Sequence, residues 1–152
     1  MQSTTSHQRH FIVLERGEEI IASITKYAAD HSIKAGSIMG IGAAMDVTLR
    51  YYDLPSKTYK DQIFSEDYEI LSLSGNISLL KGKPYTHIHI ALGKNDFGVI
   101  GGHLGSGTVA VTCEVILDAS DAVIERQFDD RIGLNLWKCG IVNEELCITN
   151  YE

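Results

Sequence analysis

The chain has 152 residues, of which 44% are hydrophobic and 22% charged, and its formal net charge is −7. This length predicts a single domain that can bury a core without disulfides or a structural metal. The acidic balance argues against nucleic acid as the main partner, because neutralisation of phosphates by basic side chains supplies most of a DNA-binding protein's affinity.

The N-terminal stretch MQSTTSHQRH is polar and lacks the apolar region of a secretory signal. No apolar run reaches the roughly 18–20 residues of a membrane helix. We therefore expect a cytoplasmic protein without a membrane partner. The three cysteines, Cys113, Cys139 and Cys147, form no CxxC pair, which is typical of reduced thiols. We further expect residues 1–8 to be a flexible tail and residues 9–152 to form one domain.

The first predicted elements are a strand over residues 9–15 and a long helix over residues 17–32. The helix sequence GEEIIASITKYAADHS carries apolar residues at helical spacing. Its first turn would contain Glu18 and Glu19, where the helix dipole favours acidic side chains.

Beyond the helix the sequence is dominated by strand signals separated by turn residues. The predicted strands are DVTLRYYD, TYKDQIF, YEILSLSGNISLL, THIHIAL, FGVIGGHL and TVAVTCEVIL, with VIERQFDD as a weaker candidate. One early helix followed by many strands with short connections predicts an α+β domain. In this fold the helix packs on a mostly antiparallel sheet.

Three histidines fall on two neighbouring predicted strands. His87 and His89 lie two residues apart in THIHIAL, so they project from the same face of the strand. His103 is the penultimate residue of the next predicted strand, FGVIGGHL. If residues 94–96 form a three-residue hairpin loop, His103 lies opposite His87 and His89 lies opposite Gly101. A four-residue loop would turn His103 to the other face unless a bulge restores the register.

Three converging imidazoles with an open position would suit a divalent metal. We favour zinc of the catalytic type, with iron, nickel and manganese as alternatives. The simpler alternative is a set of histidines on a polar face that hold no ion. Glu114 interrupts an otherwise apolar strand. Its carboxylate could accept a hydrogen bond from a ligand histidine and so orient that ring, or it could pair with a cation such as Arg50. No catalytic residue is predicted.

The residues YEILSLSGNISLLKGKPYTHIHIALGKNDFGVIGGHL, followed by TVAVTCEVIL, resemble the plants and prokaryotes conserved (PPC) domain. The upstream helix and Gly-rich strand fit as well, and the resemblance covers about residues 9–117. It implies an α+β fold, a homotrimer, and metal ligands at His87, His89 and His103. In plants the domain is fused to AT-hook segments that bind DNA, and prokaryotic single-domain members carry a provisional DNA-binding label.

One departure from the DNA-binding members is the absence of an AT-hook, whose Arg-Gly-Arg-Pro core enters the minor groove of DNA. The one Arg-Gly pair here, Arg16-Gly17, is followed by two glutamates. Three functions stay open: a homotrimeric metal-binding protein with a small-molecule or regulatory role, a DNA- or transcription-associated protein, and an oligomerisation module without catalysis. No reaction is assigned, although an open metal position would permit Lewis-acid chemistry.

Overall fold

A computed structural model describes residues 1–138, which contain nine strands and one helix. In chain order these are β1 (Gln2–Ser6), β2 (Arg9–Glu15), α1 (Ile20–Asp30), β3 (Ala35–Asp53), β4 (Thr58–Phe64), β5 (Tyr68–Leu80), β6 (Lys83–Gly93), β7 (Val99–Ser120), β8 (Glu125–Asp129) and β9 (Leu134–Lys138). Cys139 and Cys147 lie outside the described residues. Within residues 1–138, no helix is long and apolar enough to cross a membrane.

Four strands of the sheet close on one another, because β3 and β6 each pair with both β5 and β7. All of these pairings are antiparallel. Strands β2 and β1 extend the sheet beyond β7, and β4 flanks the second half of β3. Strand β8 joins the end of β5 in parallel and pairs with β9. The predicted single α+β domain with a mostly antiparallel sheet is confirmed.

The core follows from the alternation of side chains along the strands. In β2, for example, Ile12 and Leu14 are buried while their neighbours are exposed. The helix contacts β6 and β7 and buries Ile20, Ile24 and Tyr27 against the same core. Complete burial of an isoleucine side chain stabilises the fold by about 1.5–3 kcal/mol, so this stripe is sufficient to hold α1 on the sheet.

The helix is shorter than predicted, with 11 residues, and it begins after the two glutamates. Glu19 is the N-cap, and its carboxylate accepts hydrogen bonds from the backbone N–H groups of Ala22 and Gly107. The Glu18 carboxylate accepts from the Glu15 N–H. Both glutamates therefore lie ahead of the helix rather than in its first turn, and the Glu19 carboxylate caps that turn from outside.

Residues 1–8 also differ from the flexible tail that the sequence predicts. Gln2–Ser6 pair antiparallel with β2, and the connecting turn contains His7 in the left-handed region at φ 55°. The strand is exposed along its whole length. Because both of its faces are polar, it shows no alternation of apolar and polar residues, which is the signal that identifies a strand in a sequence.

Candidate metal centre

The β6–β7 hairpin carries all three histidines on one face. His87 and His89 lie two residues apart on β6, and His103 on β7 lies directly opposite His89. The loop over residues 94–98 has five residues rather than the three predicted, so the predicted pairing of His103 with His87 is wrong. Both loop lengths are odd, and His103 therefore still points to the face of the two β6 histidines.

The five-residue loop is held by its own polar groups. The Asp96 carboxylate accepts the Gly98 N–H at 2.8 Å, and the Lys94 N–H donates to the Gly98 carbonyl at 2.8 Å. Phe97 adopts a left-handed conformation with φ 63°. An aspartate that binds the backbone two residues on is a common turn device, and here it makes Phe97 and Gly98 part of the loop rather than of β7.

The three imidazoles converge as predicted. Their ring centroids are 5.0–5.3 Å apart, and one ring nitrogen from each histidine lies within 4.8 Å of the others. Three nitrogens bound to one zinc ion at about 2.1 Å with tetrahedral angles lie about 3.4 Å apart, roughly 1.4 Å closer than the 4.8 Å limit seen here. Small ring rotations would therefore bring the nitrogens of His87, His89 and His103 to bonding distance, and metal binding itself stays a prediction.

The surroundings of the rings favour neutral imidazoles. The pKa of His87 is lowered to about 4, mainly by burial and then by the nearby His103, Arg126 and His89 in that order of importance. Burial is also the main cause of the lowered pKa of His103, followed by His89 and Arg50. A neutral imidazole keeps the lone pair that a metal ion requires.

The histidines open onto a cavity of about 510 Å³. Its walls come from β3, β4, β6, β7, β8, β9 and the turn before β9. The lining residues are Arg50, Tyr51, Tyr52, Tyr59, Tyr85, His87, His89, Gly102, His103, Arg126, Gly133, Leu134, Asn135 and Leu136. Two arginines and four tyrosines thus share the cavity with the histidines, and none of the described residues that line it is an acid.

Arg126 reaches the site from β8 and is almost completely buried. Its Nε donates to the Ser78 hydroxyl at 2.7 Å, its Nη1 to the Asn135 carbonyl at 3.0 Å and its Nη2 to the Asn76 side-chain oxygen at 3.1 Å. The same Nη2 lies 3.4 Å from Nδ1 of His87. Because a guanidinium can only donate, this contact favours a lone pair on that ring nitrogen.

Arg50 stands on the other side of the site, on β3 directly opposite His103. Its guanidinium lies 5.7 Å from the centre of the Tyr59 ring, which in turn is 5.5 Å from the His103 ring. The Nε atom is 3.3 Å from a carboxylate oxygen of Asp61, but it is buried and makes no hydrogen bond with any described residue. The opposite charges of Arg50 and Asp61 therefore attract each other, but the Arg50 N–H does not point at the carboxylate oxygen as a hydrogen bond requires.

Glu114 does not reach the histidines. It is exposed on β7, where it is paired with Val13 and Ile41, and it lines a separate apolar groove. The carboxylate nearest to Arg50 is that of Asp61 on β4 instead. The predicted orienting role of Glu114, and its predicted pairing with Arg50, are therefore wrong, because its position on β7 points it to the outer face of the sheet.

Sequence reasoning missed Arg126, Tyr59 and Tyr85 as parts of the site and placed Arg50 beside the wrong acid. A signal for one of them was present, since Arg126 is the only basic residue of the acidic stretch 114–130. The tyrosines carry no such signal, because they enter the site through strand pairing between distant segments.

Residues 1–121 match the family model described as the Plants and Prokaryotes Conserved (PCC) domain, also abbreviated PPC. The chain belongs to this family. None of the curated proteins compared with this PPC chain matches it significantly.

Solved structures of similar proteins agree with the assignment to the PPC family. A metal-containing protein from Archaeoglobus fulgidus is 38% identical, with a TM-score of 0.80 over 86% of this chain and 92% of that one. A PPC protein from Pyrococcus horikoshii is 31% identical, with a TM-score of 0.81 over 90% and 94%. A "putative DNA-binding protein" from Bacteroides thetaiotaomicron is 30% identical, with a TM-score of 0.88 over 90% and 96%.

Proposed function

We propose that this PPC protein binds one divalent metal ion through His87, His89 and His103. The observation that carries the proposal is the convergence of three imidazoles, with nitrogens within 4.8 Å of one another, on the wall of a cavity. The Archaeoglobus fulgidus relative is described as metal-containing, which supports the same reading. Zinc fits best, because neutral imidazoles are among its preferred ligands.

Three protein ligands would leave a metal position open toward the cavity, as in catalytic rather than structural zinc sites. A bound zinc ion would supply Lewis-acid chemistry there. Among the protein's own groups, Tyr59 packs beside His103, and Arg126 holds the His87 ring through its contact with Nδ1, which a metal ion bound to that nitrogen would replace. The protein would then bind a small molecule at a metal-dependent site, and we assign no reaction to it.

A homotrimer is the second part of the proposal. The resemblance to PPC proteins implies this assembly, and the outer sheet face offers an apolar surface for it. We call this surface the apolar face; its exposed members on β2, β3, β5 and β7 are Phe11, Val13, Met39, Ile41, Leu71 and Val111. Contiguous apolar surface on a single chain is typical of an interaction site.

DNA binding is the alternative that the names of two similar structures suggest. The net charge of −7 opposes it, as does the absence of an Arg-Gly-Arg-Pro segment. The two arginines nearest the histidines lie within a cavity rather than on an open basic surface. We therefore place metal binding ahead of DNA binding.

The test is the metal content of protein expressed with added zinc and measured by elemental analysis. We expect close to one metal ion per chain in the wild type, and loss of most of it in His87→Ala and in His103→Ala. The control is His7→Asn, which changes an exposed turn residue whose left-handed conformation asparagine tolerates. Wild-type protein without stoichiometric metal would overturn the proposal and leave the oligomerisation module as the better description.

A further inference from the structure

We propose that the histidine cavity binds a small organic anion with a carboxylate or phosphate group, and that Arg50 anchors this group. The anion site rests on the proposed function in one respect, because the anion would lie beside the proposed metal ion. The arginine that holds it is separate from the three histidines, so the two ideas can fail independently.

The charge of the cavity is the first observation. Its lining contains two arginines and three histidines but no acid from the described residues, although the whole chain carries a net charge of −7. Arg126 is only 8% exposed, and a buried charge is unfavourable unless a partner compensates it, whereas the Arg50 side chain is 39% exposed. A divalent ion held by neutral imidazoles would add further positive charge at the same place. An anionic ligand would offset both.

Arg50 has the donors to bind such a ligand. Its cross-strand position opposite His103 puts both side chains on one face. The hydrogen bonds between described residues use none of its guanidinium nitrogens, and its Nε is buried without a partner. Asp61 lies at 3.3 Å and is the one nearby described acid that would share this arginine with a ligand. The planar guanidinium matches a carboxylate or phosphate through two parallel hydrogen bonds.

Arg126 contributes differently. Its contacts with Ser78, Asn135, Asn76 and His87 occupy four of the five N–H groups of its guanidinium. These partners are a hydroxyl, a backbone carbonyl, a side-chain amide and a ring nitrogen, so none of them is an acid that would neutralise the guanidinium. Arg126 is therefore a fixed positive charge that favours an anion, whereas Arg50 supplies the free donors.

The size and walls of the cavity indicate a small molecule. Its volume of about 510 Å³ lies within the range of about 300–1,000 Å³ typical of ligand sites. Tyr59 and Tyr85 form aromatic walls next to the two guanidinium groups, at 5.7 Å from Arg50 and 4.7 Å from Arg126. Aromatic walls with a few convergent polar donors are typical of such sites, and they would accept a compact organic anion.

The experiment is isothermal titration calorimetry of the full chain with inorganic phosphate and with succinate, each tested on zinc-loaded and on metal-free protein. The test variant is Arg50→Gln. The control is Arg9→Gln, because Arg9 also pairs with an aspartate, Asp118, directly opposite on the neighbouring strand, but far from the cavity lining. Arg50→Lys keeps the charge and removes the planar fork.

We expect zinc-loaded wild type to bind at least one of the two anions. Arg50→Gln should weaken this binding about tenfold or more, because it removes the charge-assisted hydrogen bonds of the guanidinium. Zinc content should be unchanged, and Arg50→Lys should have an intermediate effect. Arg9→Gln should bind as the wild type does. Absence of binding to either anion at millimolar concentrations, or equal binding by Arg50→Gln, would overturn the proposal. Arg50-dependent binding by protein that never holds zinc would support the anion site while rejecting the metal.

Discussion

At the scale of single residues, His87 is the side chain whose protonation the fold changes most clearly. It lies between the other two imidazoles and the Arg126 guanidinium, and burial lowers its pKa to about 4. A histidine in an unfolded chain has a pKa of about 6.5. The fold therefore favours the neutral ring, and this preference links stability to pH.

In metal-free protein, we expect the free energy of unfolding to fall as the pH is lowered from about 6.5 to about 4. Between these values the unfolded chain binds a proton at His87 and the folded chain does not, so protons favour unfolding. The expected loss in the free energy of unfolding is about 2 kcal/mol, which is less than the full pKa difference of His87 would give because solvent partly screens the ring. Urea denaturation at a series of pH values measures it.

The matched variants for this titration are His87→Asn and His7→Asn. His87→Asn removes the titrating group and should give a shallower fall of stability below pH 6.5, whereas His7→Asn, in an exposed turn, should keep the wild-type slope. Equal slopes for His87→Asn and the wild type would show that His87 is not the group that titrates.

At the scale of elements, the β6–β7 hairpin positions the site, and its two adjacent glycines have different roles. A Cβ atom on Gly101 would lie 2.6 Å from the Ile90 carbonyl oxygen on β6, which is closer than atoms can pack. A Cβ atom on Gly102 would meet its nearest neighbour at 3.4 Å, an ordinary contact. Gly101 is thus required for the close approach of the two strands, and Gly102 is not.

We expect Gly101→Ala to lower the free energy of unfolding by about 1–3 kcal/mol, because the methyl group forces β6 and β7 apart. Gly102→Ala should change it by less than about 1 kcal/mol, and in the stabilising direction, because alanine restricts the unfolded chain. Chemical denaturation of both variants measures the difference. Equal destabilisation by the two substitutions would contradict this account.

The elements also show what the sequence can and cannot predict. Alternation and turn residues predict the bounds of β2, β4 and β5 correctly. Alternation predicts only the second half of the long strand β3 and divides β7 in two, because glycines and register shifts interrupt their pattern without ending the pairing. The same limit applies to the site: the local period of a strand brings His87 and His89 together, whereas Arg50 and Arg126 enter through pairings that no local pattern contains.

At the scale of the whole molecule, polar and apolar surfaces are separated. The histidine cavity gathers arginines and tyrosines, whereas the apolar face carries side chains such as Met39, Ile41 and Val111, which are 56–69% exposed. Burial of the apolar face between copies of the chain would remove it from water and stabilise the assembly. The site and the proposed assembly therefore occupy different surfaces, and a variant can test one without altering the other.

We expect Met39→Glu to dissociate the proposed homotrimer. Met39 is 56% exposed on β3, opposite Ile116 and Ser74, so a glutamate there should be tolerated in a single chain. In an assembly each copy would bury an unpaired carboxylate, at a cost of about 3 kcal/mol. Multi-angle light scattering should give three times the chain mass of 16.8 kDa for the wild type and the single mass for the variant.

Ile63→Glu is the control, because Ile63 is 70% exposed on β4 outside the apolar face, and it should stay trimeric. A monomeric wild type, or a trimeric Met39→Glu protein, would show that the apolar face does not hold the assembly together.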